Sequence, residues 1–342
     1  MSLHADLRAL LTRDDSPATM VAAFALAHRA GLDDPDDSGP EGPRRLMRRM
    51  ALAGRADLAF GRLFEGHVNA IQQVRAHGNA VARVALNQAL AAGAILGVWN
   101  SDLPGNGLRV VDGAFAGAKN FASGAGIVTH ALVTTDANDP GATRMYLCDL
   151  RDGGAPIDRD WWRPIGMARS ETHIVDLTGR AAPDPVGEPG AYQRQPAFSA
   201  GALRFVAVQA GGVHALFDIV RDHLVASGRA GHPIQRHRLA RLFGLADAGY
   251  ALIDATAAGW GDPQRIVPLV AAARGGIEAI ATEALALAQA AVGVQGLLHP
   301  HALARFVTDL SVYLRQPNPD GARDAASDAA AAGIIVPGGL DA

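Results

Sequence analysis

The texture of the chain changes twice, and that double change limits the fold more than any single motif. Up to residue 96, and again from Ser199, apolar residues recur at three- and four-residue spacing; between them glycine and proline break the apolar runs to strand length. MVAAFALAHRAGL (20–32) and ADLAFGRLFEGHVNAIQQVRAHG (56–78) read as helices, the second with Leu58, Leu63, His67, Ala70, Ile71 and Val74 on one face. Residues 80–96 continue the helical character, while DDPDDSGPEGP (33–43) is a polar loop. Candidate strands follow at 108–113, 127–135, 144–150 and 172–177, separated by DANDPG, RDGGAP and PDPVGEPG. No helical stretch of crossover length lies among them, which predicts antiparallel pairing. Residues 201–227, 265–293 and 302–316 are helices again. The second of these carries within it only the charges Arg274, Glu278 and Glu283, so it belongs inside a bundle or at a subunit contact. The order is helices, a β-domain, then a helical bundle.

Composition narrows the function classes. Hydrophobic residues make up 49% and charged residues 19% of the 342, a balance common in subunits that bury surface against their own copies. A net charge of −3 and no clustered basic stripe argue against nucleic acid; Arg44, Arg45, Arg48 and Arg49 read as a solvated helix face. The single cysteine, Cys148, excludes an internal disulfide and reads as a buried, inert thiol in the strand-like MYLCDL. The first residues lack the apolar core of a signal peptide, and no uninterrupted run of about 18 apolar residues occurs, so neither a membrane span nor export is expected and the expected compartment is the cytoplasm.

GAFAGAKNFASGAGIVTH (113–130) combines glycines with Lys119 and invites a phosphate-loop reading. Spacing rejects it. The Walker pattern fails because Ala118 stands where its second glycine is required and Asn120 follows Lys119. The dinucleotide fingerprint fails because Gly124-Ala-Gly126-Ile-Val-Thr129 lacks the third glycine and leads into a strand, not a helix; Gly105-Asn-Gly107-Leu-Arg-Val110 fails the same way. On chemistry alone, Gly113, Gly117, Gly124 and Gly126 turn the chain between short strands.

Several stretches, in order, resemble the acyl-CoA dehydrogenase superfamily: GVWNSDLPGNGLRVVDGAFAGAKNFASGAGIVTHALVTT (97–135), IGMARSETHIVDLTGRAAP (165–183), VAVQAGGVHALFDIV (206–220) and RAGHPIQRHRLARL (229–242). The resemblance covers about residues 50–325. It implies an α+β, mainly α fold: an N-terminal helical domain (1–96), a middle antiparallel β-barrel-like domain forming a flavin wall (97–197) and a C-terminal four-helix bundle (198–325). The small-residue-rich stretch beyond it (326–342) reads from its composition as a flexible tail. The resemblance also implies FAD in a cleft between the last two domains and a homodimer or homotetramer. Carried over residue by residue, Ser123 stands where a hydroxyl bonds flavin N5, and Phe121 where an aromatic packs on the isoalloxazine. Ser101, with Asn100, aligns with the threonine at the pyrimidine edge, and Trp99 lines the same wall. Arg229 matches the arginine that reaches the FAD pyrophosphate from a neighbouring subunit, and Gln295-Gly296 lies near the turn contacting the dinucleotide across the dimer.

The family's catalytic carboxylate is missing. Where a Tyr-Glu-Gly is expected, Tyr313 is followed by Leu314-Arg315, and the alternative position at the start of the bundle's first helix reads Ser199-Ala-Gly-Ala-Leu203. Proton abstraction from a thioester needs a positioned base. The nearest acids are Asp320, read as a turn residue, and Asp309, read as a helix-face charge opposite Arg305. Arg238 replaces an expected FAD-contacting glutamine. The histidines show no metal-ligand spacing; His173, in the β-domain, is the one with a possible place at the flavin. Three functions follow as expectations: an FAD-dependent oxidoreductase acting on an acyl thioester or related small substrate, a monooxygenase taking reduced FMN or FAD as co-substrate, and a non-catalytic assembly or binding protein.

Overall fold

A computed structural model describes residues 2–34, 39, 41–139 and 141–339. The N-terminal helices are α1 (Leu3–Leu11), α2 (Pro17–Arg29), α3 (Gly42–Ala56), α4 (Leu58–His77) and α5 (Ala80–Ala91). Ser2, Ser16 and Asn79 cap α1, α2 and α5 by accepting a backbone N–H three residues on. The strands are β1 (Leu96–Trp99), β2 (Arg109–Val111), β3 (Ala114–Ala116), β4 (Ala118–Ala122), β5 (His130–Thr135), β6 (Arg144–Asp149), β7 (Ile157–Asp158), β8 (His173–Asp176) and β9 (Pro185–Val186). Then come α6 (Ala197–Ala200), α7 (Leu203–Ala226), α8 (Pro233–Ala258), α9 (Ile266–Val292), α10 (Ala302–Tyr313) and α11 (Pro319–Ala331).

The chain forms two compact units. One holds Met1–Pro35, Arg62–Pro164 and Ala168–Phe198. Its strands form three open sheets, ordered β1-β5-β6-β9, β2-β3 and β4-β8-β7. Ala70, Ile71 and Val74 of α4 and Leu86 of α5 pack with Leu96, Leu132 and Met145, placing a core against the four-stranded sheet. Two differences from the sequence reading stand out. The described strands close no barrel, and β1 pairs with β5 in parallel, Leu96 opposite His130 and Trp99 opposite Val133. The crossover between those two strands is made of other strands, β2 to β4, and not of the helix whose absence suggested an all-antiparallel domain.

The other unit holds Asp36–Gly61, Ile165–Met167 and Ser199–Ala342. Here α7, α8 and α9 pack on one another, with α3 laid along α7 and α11 along α9. Glycines let α3 and α7 approach closely: a methyl at Gly54 would collide with the Val208 carbonyl, and one at Gly211 with the Ala51 carbonyl. The segment 197–226 is long and apolar enough to cross a membrane by length and composition, yet it is mostly buried within the protein. Beyond residue 325 the expected mobile tail is partly helical. α11 runs to Ala331 because its run of alanines favours helix and Asn318 caps its first turn.

Candidate functional site

Lys119 of β4 points into the protein interior. Its side chain is wholly buried, and Nζ donates to Asp102 Oδ1 (2.6 Å), Asn100 O (2.9 Å) and Thr134 O (2.8 Å). Burial pushes the ammonium below its ordinary range, and the Asp102 carboxylate opposes that shift. Asp102 also accepts the Leu108 and Ala137 backbone N–H groups, so the pair ties the exit of β1 to β4 and β5.

Two residues on, Phe121 holds a left-handed φ of 48°, rare for a side-chain-bearing residue and a frequent mark of functional sites. Its ring is 44% exposed and meets Trp161 edge-on at 4.8 Å and Trp162 at 6.4 Å. Ser123 follows, buried. Its Oγ accepts from Thr172 Oγ1 (2.9 Å), which lies 2.8 Å from Ser170 Oγ, and its carbonyl accepts Trp99 Nε1 (3.0 Å). Thr172 thus fills an acceptor site of the Ser123 hydroxyl while the hydroxyl's own proton has no acceptor among the described residues. Gly124 makes the turn with φ 77°, and a Cβ there would meet Val128 at 2.7 Å.

A charged group borders this turn. Glu171, at φ 43°, holds Arg159 Nη1 at 2.8 Å and His173 Nε2 at 3.0 Å on the same carboxylate oxygen. His173 is buried, and its Nδ1 has no partner among the described residues.

The structure therefore brings Phe121 and Ser123 together and places Trp99 behind them. Trp99 does not line an open wall: it is 1% exposed and acts on the site only through the Ser123 carbonyl. Asn100 accepts from Thr134 Oγ1 through Oδ1, and Ser101 is exposed beside it. In the second unit, Arg229 donates to the Ala291 carbonyl (3.2 Å) at the end of α9, where a cation is favoured by the helix dipole. The turn that follows α9 carries exposed Gln295 and buried Gly296. Asp320 is exposed and pairs with Arg323 in the first turn of α11, a helix start where a turn was expected. Asp309 is not a surface charge: it is buried, and Oδ1 accepts the Met167 N–H at 2.5 Å. Ser170, Thr172, Trp161, Trp162 and Glu171 escaped the sequence reading, although Ser-x-Thr alternation before β8 and a Trp-Trp doublet after β7 are its faint signals.

By sequence, no family model and no curated protein matches the chain. Solved structures do match. Butyryl-CoA dehydrogenase from Megasphaera elsdenii superposes with a TM-score of 0.76 at 12% identity, covering 97% of this chain and 98% of its own. The chain has the acyl-CoA dehydrogenase fold. Two monooxygenases share the fold: dibenzothiophene monooxygenase from Paenibacillus sp. A11-2 (TM-score 0.77, 17% identity, 96% of this chain and 94% of its own) and methanesulfinate monooxygenase from Pseudomonas fluorescens (0.79, 15%, 98% and 96%). The Paenibacillus enzyme has also been solved with FMN bound. The two stretches where the resemblance places a catalytic glutamate read Tyr313-Leu314-Arg315 and Ser199–Leu203, without a carboxylate. Arg315 there is paired with Glu278 of α9, whose other oxygen is taken by Arg323.

Proposed function

We propose that this protein is a flavin-dependent oxidoreductase whose β4 turn supports the isoalloxazine ring. The observation that carries the reading is the pairing of an exposed aromatic ring, Phe121, with a hydroxyl two residues away whose proton is free to donate. A flavin needs an apolar surface against its ring system and a donor at N5, held rigidly. Phe121 offers the surface. Ser123 offers the donor; Thr172, itself hydrogen-bonded to Ser170, holds its hydroxyl, and Trp99 holds its carbonyl. When bound, the flavin supplies the two-electron redox chemistry. Both contacts address the ring alone, so FMN and FAD satisfy them equally. For FAD, Arg229, Gln295 and Gly296 are proposed to meet the pyrophosphate and adenosine portion across a homodimer or homotetramer contact.

Of the two chemistries expected for such a protein, use of reduced flavin as a monooxygenase on a small organic substrate is favoured over dehydrogenation of an acyl thioester. The absence of a carboxylate at residues 199–203 and 313–315 supports this, since thioester dehydrogenation needs a base there while oxygen transfer does not. Two of the fold neighbours being monooxygenases is consistent with it.

Titrating the purified protein anaerobically with reduced FMN and FAD, and recording its visible spectrum, tests the proposal. Saturable binding of reduced flavin, with weak binding of the oxidised form, is the expected result. A tightly retained oxidised FAD that butyryl-CoA bleaches would favour the dehydrogenase instead. Binding in neither redox state would overturn both and leave an assembly or binding protein.

A further inference from the structure

A second candidate site lies in the helical part of the first unit and shares no residue with the Phe121–Ser123 cluster. One stripe of α2, namely Val21, Phe24, Ala25, His28 and Arg29, lines a cavity of about 180 Å³ closed by His67 of α4 and the 93–95 turn. Its floor is apolar: Phe24 packs edge-on against His67 (5.5 Å), and Val21 is 44% exposed beside them. Its polar edge is organised by Asp33, whose Oδ2 meets His28 Nδ1 at 2.8 Å and His67 Nε2 at 3.4 Å.

The proton positions at that edge follow from the backbone. His67 Nδ1 accepts the Leu96 N–H (2.9 Å), so its ring proton sits on Nε2 and points at Asp33. His28 uses Nδ1 toward the same carboxylate, which leaves its Nε2 without a partner among the described residues. Arg29 beside it has no acidic partner among the described residues. Asp33 is nearly buried, and its carboxylate oxygen Oδ2 is held by the two imidazoles. The edge therefore offers an unpaired guanidinium and one open imidazole nitrogen above an apolar floor. The C-terminal end of α2 favours cations at those positions, so they are built to persist without a ligand.

We propose that this cavity binds a small amphipathic carboxylate. The carboxylate head takes the Arg29 guanidinium, which matches it with two parallel N–H donors, beside the His28 ring edge. The short apolar stem lies on Val21, Phe24 and Ile95. The volume holds on the order of a dozen water-sized groups, enough for a six- to eight-carbon acid and too little for a nucleotide.

The proposal stands apart from the flavin reading and is tested without flavin. Sodium hexanoate and sodium benzoate are titrated into the full-length protein by calorimetry, with hexanol as the neutral control. Saturable binding of the acids is expected, weakened roughly tenfold or more by Arg29→Ala, the loss of one charge-assisted contact. Val21→Glu, at an exposed position, should abolish binding by blocking the floor while leaving the circular dichroism spectrum unchanged. No saturable binding of either acid would overturn the proposal. So would unchanged affinity in both folded variants, or hexanol binding as tightly as hexanoate.

Discussion

Lys119 Nζ sits 2.6 Å from Asp102 Oδ1 in a place where the lysine side chain is wholly buried and the aspartate nearly so. Breaking such a pair from one side strands the other charge. Lys119→Met should therefore destabilise the protein by about 3–5 kcal/mol, lowering its thermal midpoint. Adding Asp102→Leu to that variant should restore part of the loss, because the stranded carboxylate is removed. A double variant no more stable than Lys119→Met alone would contradict the assignment.

Thr172→Val keeps the shape of the side chain and removes the proton aimed at Ser123 Oγ. If Ser123 serves flavin, this variant should bind reduced flavin about 2–10-fold more weakly while melting near the wild-type temperature, the size of one neutral hydrogen bond. Ser123→Ala should lose at least as much. Fluorescence titration of flavin against both variants measures the effect.

Glycine substitutions in the bundle should differ in sign with location. Gly211→Ala drives a methyl into the Ala51 carbonyl and should cost several kcal/mol or block folding. Gly275, inside α9, has open space where a Cβ would stand, so Gly275→Ala should be neutral or stabilising by up to about 1 kcal/mol. Comparing the two melting temperatures decides it.

Cys148 is buried in β6, and burial pushes its thiol up to about 12 from an ordinary 9.0. Native protein should therefore react negligibly with a thiol reagent at pH 8 and fully once unfolded in guanidinium. The raised value also sets a pH trend. Above pH 9 the unfolded thiol ionises while the folded one stays neutral, so this group's contribution to stability is complete below pH 9 and is lost progressively toward pH 12. Cys148→Ala should flatten that part of the alkaline stability profile.

The division between local and long-range information runs through particular residues. The helical stripes of α4, α7, α9 and α10 were legible because their apolar spacing repeats over several turns, and strands β5, β6 and β8 because turn residues bracket them. Helix α8 does not stand out by its pattern: its first turns are crowded with arginine and histidine, half of its residues are exposed, and its buried stripe (Leu242, Ala246, Gly249, Ile253, Ala257) is made largely of small residues that carry a weak apolar signal. The sequence by itself determined the helix–strand–helix order, the failure of both phosphate motifs, and the absence of a carboxylate at residues 199–203 and 313–315. Tertiary structure alone decided the parallel β1–β5 pairing, the burial of Lys119 against Asp102, and the hydrogen bond from Thr172 to Ser123 across 49 positions of chain. The reason is physical. Periodicity records which face of an element meets an interior, whereas strand register and the partner of a buried polar atom depend on which distant segments pack together, and no local pattern encodes that.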